Sequence, residues 1–94
     1  MEMSKVIQCE VSDCAYNLDN VCNAIAITVG HDIHPMCDTF CHSEIKGGQL
    51  GCLAGVGACK VSCCAYNNGL ECCASEISVG YKGAEPDCMT FKSR

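Results

Sequence analysis

The sequence predicts a small, metal-stabilised, loop-rich fold of short β-hairpins, arranged as two tandem pseudo-repeats with little helix. Three observations carry that prediction. First, eight of the 12 cysteines form two matching sets: Cys9, Cys14, Cys22 and Cys37 return as Cys59, Cys64, Cys72 and Cys88, the first three displaced by 50 residues and the last by 51. Second, the surrounding residues repeat with them, among them Val11/Val61, the Ala-Tyr-Asn run at 15–17 and 65–67, Ile27/Ile77, Val29/Val79, Pro35/Pro86 and Thr39-Phe40/Thr90-Phe91. Third, the 94 residues include no Trp, two Phe and three Tyr, so the 49% hydrophobic content leans on cysteine rather than on large side chains. A module of about 35 residues is too small for a self-sufficient core, and cross-links must supply what burial cannot.

The expected units are a first module over 1–42, a glycine-rich connector over 43–57 and a second module over 58–94. In the first module Val6-Ile7 begins a strand running into Cys9; its counterpart, Val56-Gly57-Ala58, is a weaker strand former. The stretch from Cys14 to Cys22 reads as a loop, and the matching stretch carries Asn68-Gly69, the strongest short turn signal in the chain. Residues 24–29 and 74–79 read as strands, each closed by a turn at the glycine that follows, Gly30 or Gly80. From there to the fourth cysteine the chain is polar and contains a proline, which predicts an exposed excursion. Thr39-Phe40 and Thr90-Phe91 then supply a short return strand, with each Phe the expected core residue of its module. The connector holds Gly47, Gly48, Gly51, Gly55 and Gly57. At roughly 1 kcal/mol per glycine, that density argues against a helix and for a flexible link.

Each repeat reads Cys-x4-Cys-x7-Cys, then 14 or 15 residues and a fourth Cys. The first pair sits at the wide end of the spacing found in structural zinc sites, where one turn lets two sulfurs face a common ion. The third and fourth cysteines bracket the central strand, so closing that loop around an ion would pin the strand against the first turn. An apparent zinc binding energy of about 10–16 kcal/mol is enough to fold a module without a large core. Four sulfurs leave no open coordination position, which makes such a site structural rather than hydrolytic. The expectation is two zinc ions, and three or more if the remaining sulfurs build further sites. Iron, singly or as an iron–sulfur cluster, is the alternative that the same donor set accepts.

The combination of Cys-x4-Cys-Ala-Tyr-Asn, Cys-x-Ala-x2-Ile-x-Val and Cys-x-Thr-Phe resembles the uncharacterised bacterial four-cysteine module catalogued as domain of unknown function 1540. Two copies cover about residues 9–40 and 59–91. The resemblance implies a small metal-binding module with Cys9, Cys14, Cys22, Cys37 and Cys59, Cys64, Cys72, Cys88 as ligands, and it brings no established activity to carry over. Cys41, Cys52, Cys63 and Cys73 lie outside the repeated set; Cys63 and Cys73 replace Asp13 and Asn23 of the first copy. They are candidates for additional or bridging ligands, and otherwise small buried hydrophobes or occasional thiols. His31, His34 and His42 are absent from the repeated chemistry and are expected to be solvent-facing. Tyr16 and Tyr66 are expected to pack over the metal sites, with Asn17 and Asn67 holding the turn or donating to a thiolate.

No nucleophile with a partner base, phosphate-cradling glycine loop or open metal position can be picked out, so the expected role is non-catalytic: structural, interaction or metal handling, with a protein partner compatible. The formal charge of −5 and six scattered basic residues argue against nucleic acid. The sequence has no run of about 20 apolar residues to suit a membrane span and no secretory leader pattern, which sets a cytoplasmic expectation, with a spore-associated location as the alternative. In a reducing compartment patterned cysteines favour metal over disulfides. Two other classes stay open: an iron- or thiol-based redox or electron-transfer protein, and a disulfide-cross-linked spore structural protein.

Overall fold

The structure, a computed structural model, describes residues 3–31 and 33–94, with the side chain of His31 outside the described atoms. Strand β1 (Lys5–Cys9) turns Val6 and Cys9 inward and leaves Lys5, Ile7 and Gln8 exposed; a bulge between Val6 and Gln8 breaks strict alternation. A tight hairpin follows, β2 (Asn17–Leu18) and β3 (Val21–Cys22), and then a longer one, β4 (Ala26–His31) and β5 (His34–Cys37). The second repeat runs the same course through β6 (Gly55–Cys59), β7 (Asn67–Asn68), β8 (Glu71–Cys72), β9 (Glu76–Lys82) and β10 (Glu85–Cys88). Helix is absent among the described residues, and the short hairpins of a loop-rich fold are as the sequence predicts.

The two repeats do not stand side by side. Six strands close into one barrel in the order β1-β6-β4-β5-β10-β9, and the lead strand of each repeat lies against the central strand of the other. Thus β1 runs parallel to β9, pairing Val6 with Ile77 and Cys9 with Val79, while β6 runs parallel to β4, pairing Val56 with Ile27 and Cys59 with Val29. The antiparallel pairs β1·β6 and β5·β10 match Lys5 with Gly55 and Met36 with Asp87. Each residue there faces its own repeat counterpart, which is the signature of a pseudo-two-fold axis through both pairs. The interior is β-branched: Val6, Val11, Ile27 and Val61 are the largest fully buried side chains, with Val29, Val56, Ile77 and Val79 beside them. Tyr81 adds a bond across the repeats by donating its hydroxyl to the Asp13 carboxylate. A radius of gyration of 12.0 Å matches the roughly 12 Å expected of one domain of this length.

Several expectations need correction. The first tight turn uses Asp19 and Asn20 at φ 55° and 63°, and the second uses Gly69 and Leu70 at φ 60° and 67°, one residue later than Asn68-Gly69. Both have the paired positive φ of a type I′ hairpin. Gly30 and Gly80 do not end their strands: β4 and β9 run through them, and Gly30, at φ 122°, is where a Cβ would meet that of Lys60 at 2.9 Å. The polar stretches expected as exposed excursions contain β5 and β10, because those strands complete the barrel wall. Thr39-Phe40 and Thr90-Phe91 form turns in place of return strands; the chain comes back later, through single bridge pairs of His42 with Cys14 and Ser93 with Cys64. Phe40 and Phe91 are only half-buried, since a barrel this narrow fills with Val and Ile and leaves the rings at its margin. The last three residues of the expected connector, from Gly55 to Gly57, belong to β6.

Candidate functional site

Each set of four repeated cysteines lines one small cavity. Cys9, Cys14, Cys22 and Cys37 share theirs with Val11, Tyr16, Ile27, Thr39 and Phe40; Cys59, Cys64, Cys72 and Cys88 share the other with Val61, Tyr66, Asn67, Ile77, Thr90 and Phe91. The cysteines arrive from four different places: the end of the lead strand, the turn after it, the closing strand of the tight hairpin, and the end of the strand after the glycine. The cavity volumes, about 10 Å³ for the first and about 20 Å³ for the second, are those of a water-sized sphere and too small for an organic substrate. All twelve cysteines are free thiols; those of the first cavity are buried, whereas Cys72 and Cys88 of the second are half-buried. Among the described residues no three His, Cys, Asp or Glu side chains converge on one point at metal-holding geometry. The sulfurs line the walls of the two cavities.

The surrounding hydrogen bonds hold the backbone that carries the sulfurs. Asn17 Nδ2 donates to the Cys9 carbonyl at 2.7 Å and Asn67 Nδ2 to the Cys59 carbonyl at 2.8 Å, both in buried surroundings. Both bonds go to the main chain, one step removed from the sulfur. Tyr16 and Tyr66 each line one of the cavities. Thr39 Oγ1 accepts from the Thr28 amide at 3.0 Å and Thr90 Oγ1 from the Ser78 amide at 3.1 Å, tying the turn after the fourth cysteine to the central strand.

Two cations escaped the sequence reading. Lys46 Nζ donates to the carbonyls of Ser12 and Cys14, at 2.8 and 3.1 Å, and the Arg94 guanidinium donates to those of Cys64, at 2.9 Å, and Asn67. Each places a positive charge on the turn that carries the second cysteine. The two residues occupy no equivalent position in the repeat, so their equivalence exists only in space.

Without a cation, three of these thiols, Cys22, Cys37 and Cys88, resist ionisation. Burial pushes Cys37 up to about 12, and the neighbouring Cys22, Cys14 and Cys9 thiols add to the rise. Burial likewise raises Cys88 to about 11, with Cys72 and Cys64 contributing, and raises Cys22, with Cys9 and Cys14 contributing. These effects couple Cys9, Cys14, Cys22 and Cys37 with one another, and Cys88 with Cys64 and Cys72; a cation among the sulfurs would act in the opposite direction.

Cys41, Cys52, Cys63 and Cys73 are exposed free thiols and none lines either cavity; of the two non-ligand readings, burial as small hydrophobes does not hold. The side chains of His34 and of His42 are exposed, with His34 Nδ1 3.6 Å from Glu85; the expectation for His31 falls on a side chain outside the described residues. No described helix is long and apolar enough to cross a membrane.

No curated protein and no solved structure matches the chain. The family described as Domain of Unknown Function (DUF1540) matches it twice, over residues 7–43 and 58–91. Those spans contain all eight cavity cysteines and most of the chain, and the protein belongs to that family as a tandem, cysteine-rich member.

Proposed function

We propose that each cavity holds one zinc ion between its four cysteine sulfurs, and that the protein is a non-catalytic module whose shape depends on those two ions. The observation that carries this reading is the lining of an ion-sized cavity by four cysteines brought from four separate segments, twice over. Cys9, Cys14, Cys22 and Cys37 would hold one ion and Cys59, Cys64, Cys72 and Cys88 the other. A tetrathiolate ion supplies charge neutralisation and a four-way cross-link. The backbone is held around each cavity by Asn17 or Asn67 and by Lys46 or Arg94. A closed four-sulfur site leaves no position for a reacting water, and the cavities are too small for a substrate; both favour a structural, interaction or metal-handling role in the cytoplasm.

Native mass spectrometry of anaerobically purified protein, combined with metal analysis, tests the proposal. Two zinc ions per chain and a colourless solution are expected. Visible absorption with bound iron would replace zinc by iron in the same sites. A metal-free reduced chain that is fully ordered would overturn the reading.

A further inference from the structure

Two central strands of the barrel each touch both cysteine clusters. Val79 in β9 pairs with Cys9 of the first cluster on one side and with Cys88 of the second on the other. Val29 in β4 pairs with Cys37 of the first cluster and Cys59 of the second. The side chains cross over in the same way. Val79 and Pro86, from the second repeat, line the first cavity; Val29 and Pro35, from the first repeat, line the second. Pro86 lies two residues before Cys88 and Pro35 two before Cys37, so each wall residue is carried by the strand that delivers a cysteine to the opposite cluster. Val29 and Val79 are each 3% exposed, packed where a shift of either strand is felt on both sides.

From this geometry we propose that the two clusters load as a pair, an ion in one raising the affinity of the other. The inference rests on the zinc reading above and adds its regulation. Filling the first cluster fixes Cys9 and Cys37, and with them Val79 and Val29 and the strands that carry them. The second cluster needs those same strands ordered, since β4 pairs with Cys59 and β9 pairs with Cys88. The second ion therefore meets a site whose ordering cost has largely been met by the first, and the effect is reciprocal. Two separate modules joined by a linker would load independently.

Zinc alone, added to the metal-free, reduced full chain, provides the test, read by native mass spectrometry. At one equivalent, independent and equal sites put about half of the chains in the one-zinc form. Paired loading is expected to deplete that form in favour of metal-free and two-zinc chains. A one-zinc population of half or more, with two ions still bound at saturation, overturns the coupling and leaves the zinc reading standing. Failure of the wild-type chain to bind zinc at all overturns both. A second measurement uses Cys14→Ser, which removes one sulfur from the first cluster only. The zinc affinity of the intact second cluster, measured by competition with a chromophoric chelator, is expected to fall at least about fivefold, the lower end of usual coupling between sites. An unchanged affinity overturns the proposal. The wild-type arm stands whether or not this variant folds.

Discussion

At the scale of single residues, the two repeats differ where their backbones are the same. The tight turns place Asn20 and Leu70 at equivalent positions with φ 63° and 67°. Asn tolerates the left-handed region, whereas a leucine there carries roughly 1–2 kcal/mol of steric cost. Leu70 is also 55% exposed, so little packing is lost on replacing it. Leu70→Asn, copying the first repeat, is expected to stabilise the protein by about 1 kcal/mol, seen as a higher midpoint in chemical denaturation. Asn67 has the opposite character. Its Nδ2 satisfies the buried Cys59 carbonyl and its Oδ1 accepts from the Leu70 amide in a partly buried bond of 3.2 Å, so truncation removes a partner from both. Asn67→Ala is expected to cost about 1–3 kcal/mol in the same measurement.

At the scale of strands, β1 carries more than its five residues suggest. It covers β9 of the other repeat, and Val6 is fully buried against Ile77. Val6→Ala is expected to cost about 2–3 kcal/mol. Its mark in amide exchange is expected on β9 in the second repeat as well as on β1 itself. Confinement of faster exchange to the first repeat would contradict the interlaced pairing. The existence of this strand was legible in Val6-Ile7, and β6 was legible as its weaker echo. Its partner was not. Two copies of one pattern give a lead strand two equivalent docking positions, on its own central strand or on its copy's, and hydrophobic periodicity is the same for both. The strand nature of β5 and β10 was hidden for a related reason: Pro35 and Pro86 read as loop signals until the wall they complete is known. The grouping of the eight cysteines was readable because spacing alone, repeated twice, encodes it. Lys46 and Arg94 were unreadable because nothing in the sequence places them alike.

For the whole molecule, one core shared by both repeats means that neither has a private interior to unfold. Val6 and Val11 of one repeat and Val56 and Val61 of the other belong to a single buried cluster. Serine at Cys14 or Cys64 is therefore expected to disturb both halves, not chiefly the one that carries it. Denaturant unfolding is expected to be a single transition, with coincident curves from far-ultraviolet circular dichroism and from tyrosine fluorescence. Two separated transitions would show that the repeats melt as units.

The antiparallel pairs on the pseudo-two-fold axis, Lys5 with Gly55 and Met36 with Asp87, carry one more consequence. An unlinked half would leave two flanks bare, and a second identical half, turned through half a revolution, would cover them both. Joining the halves in one polypeptide replaces a meeting governed by protein concentration with one governed by tether length. In this light the residues between Cys41 and β6 act as a leash, keeping the two complementary halves together at any dilution.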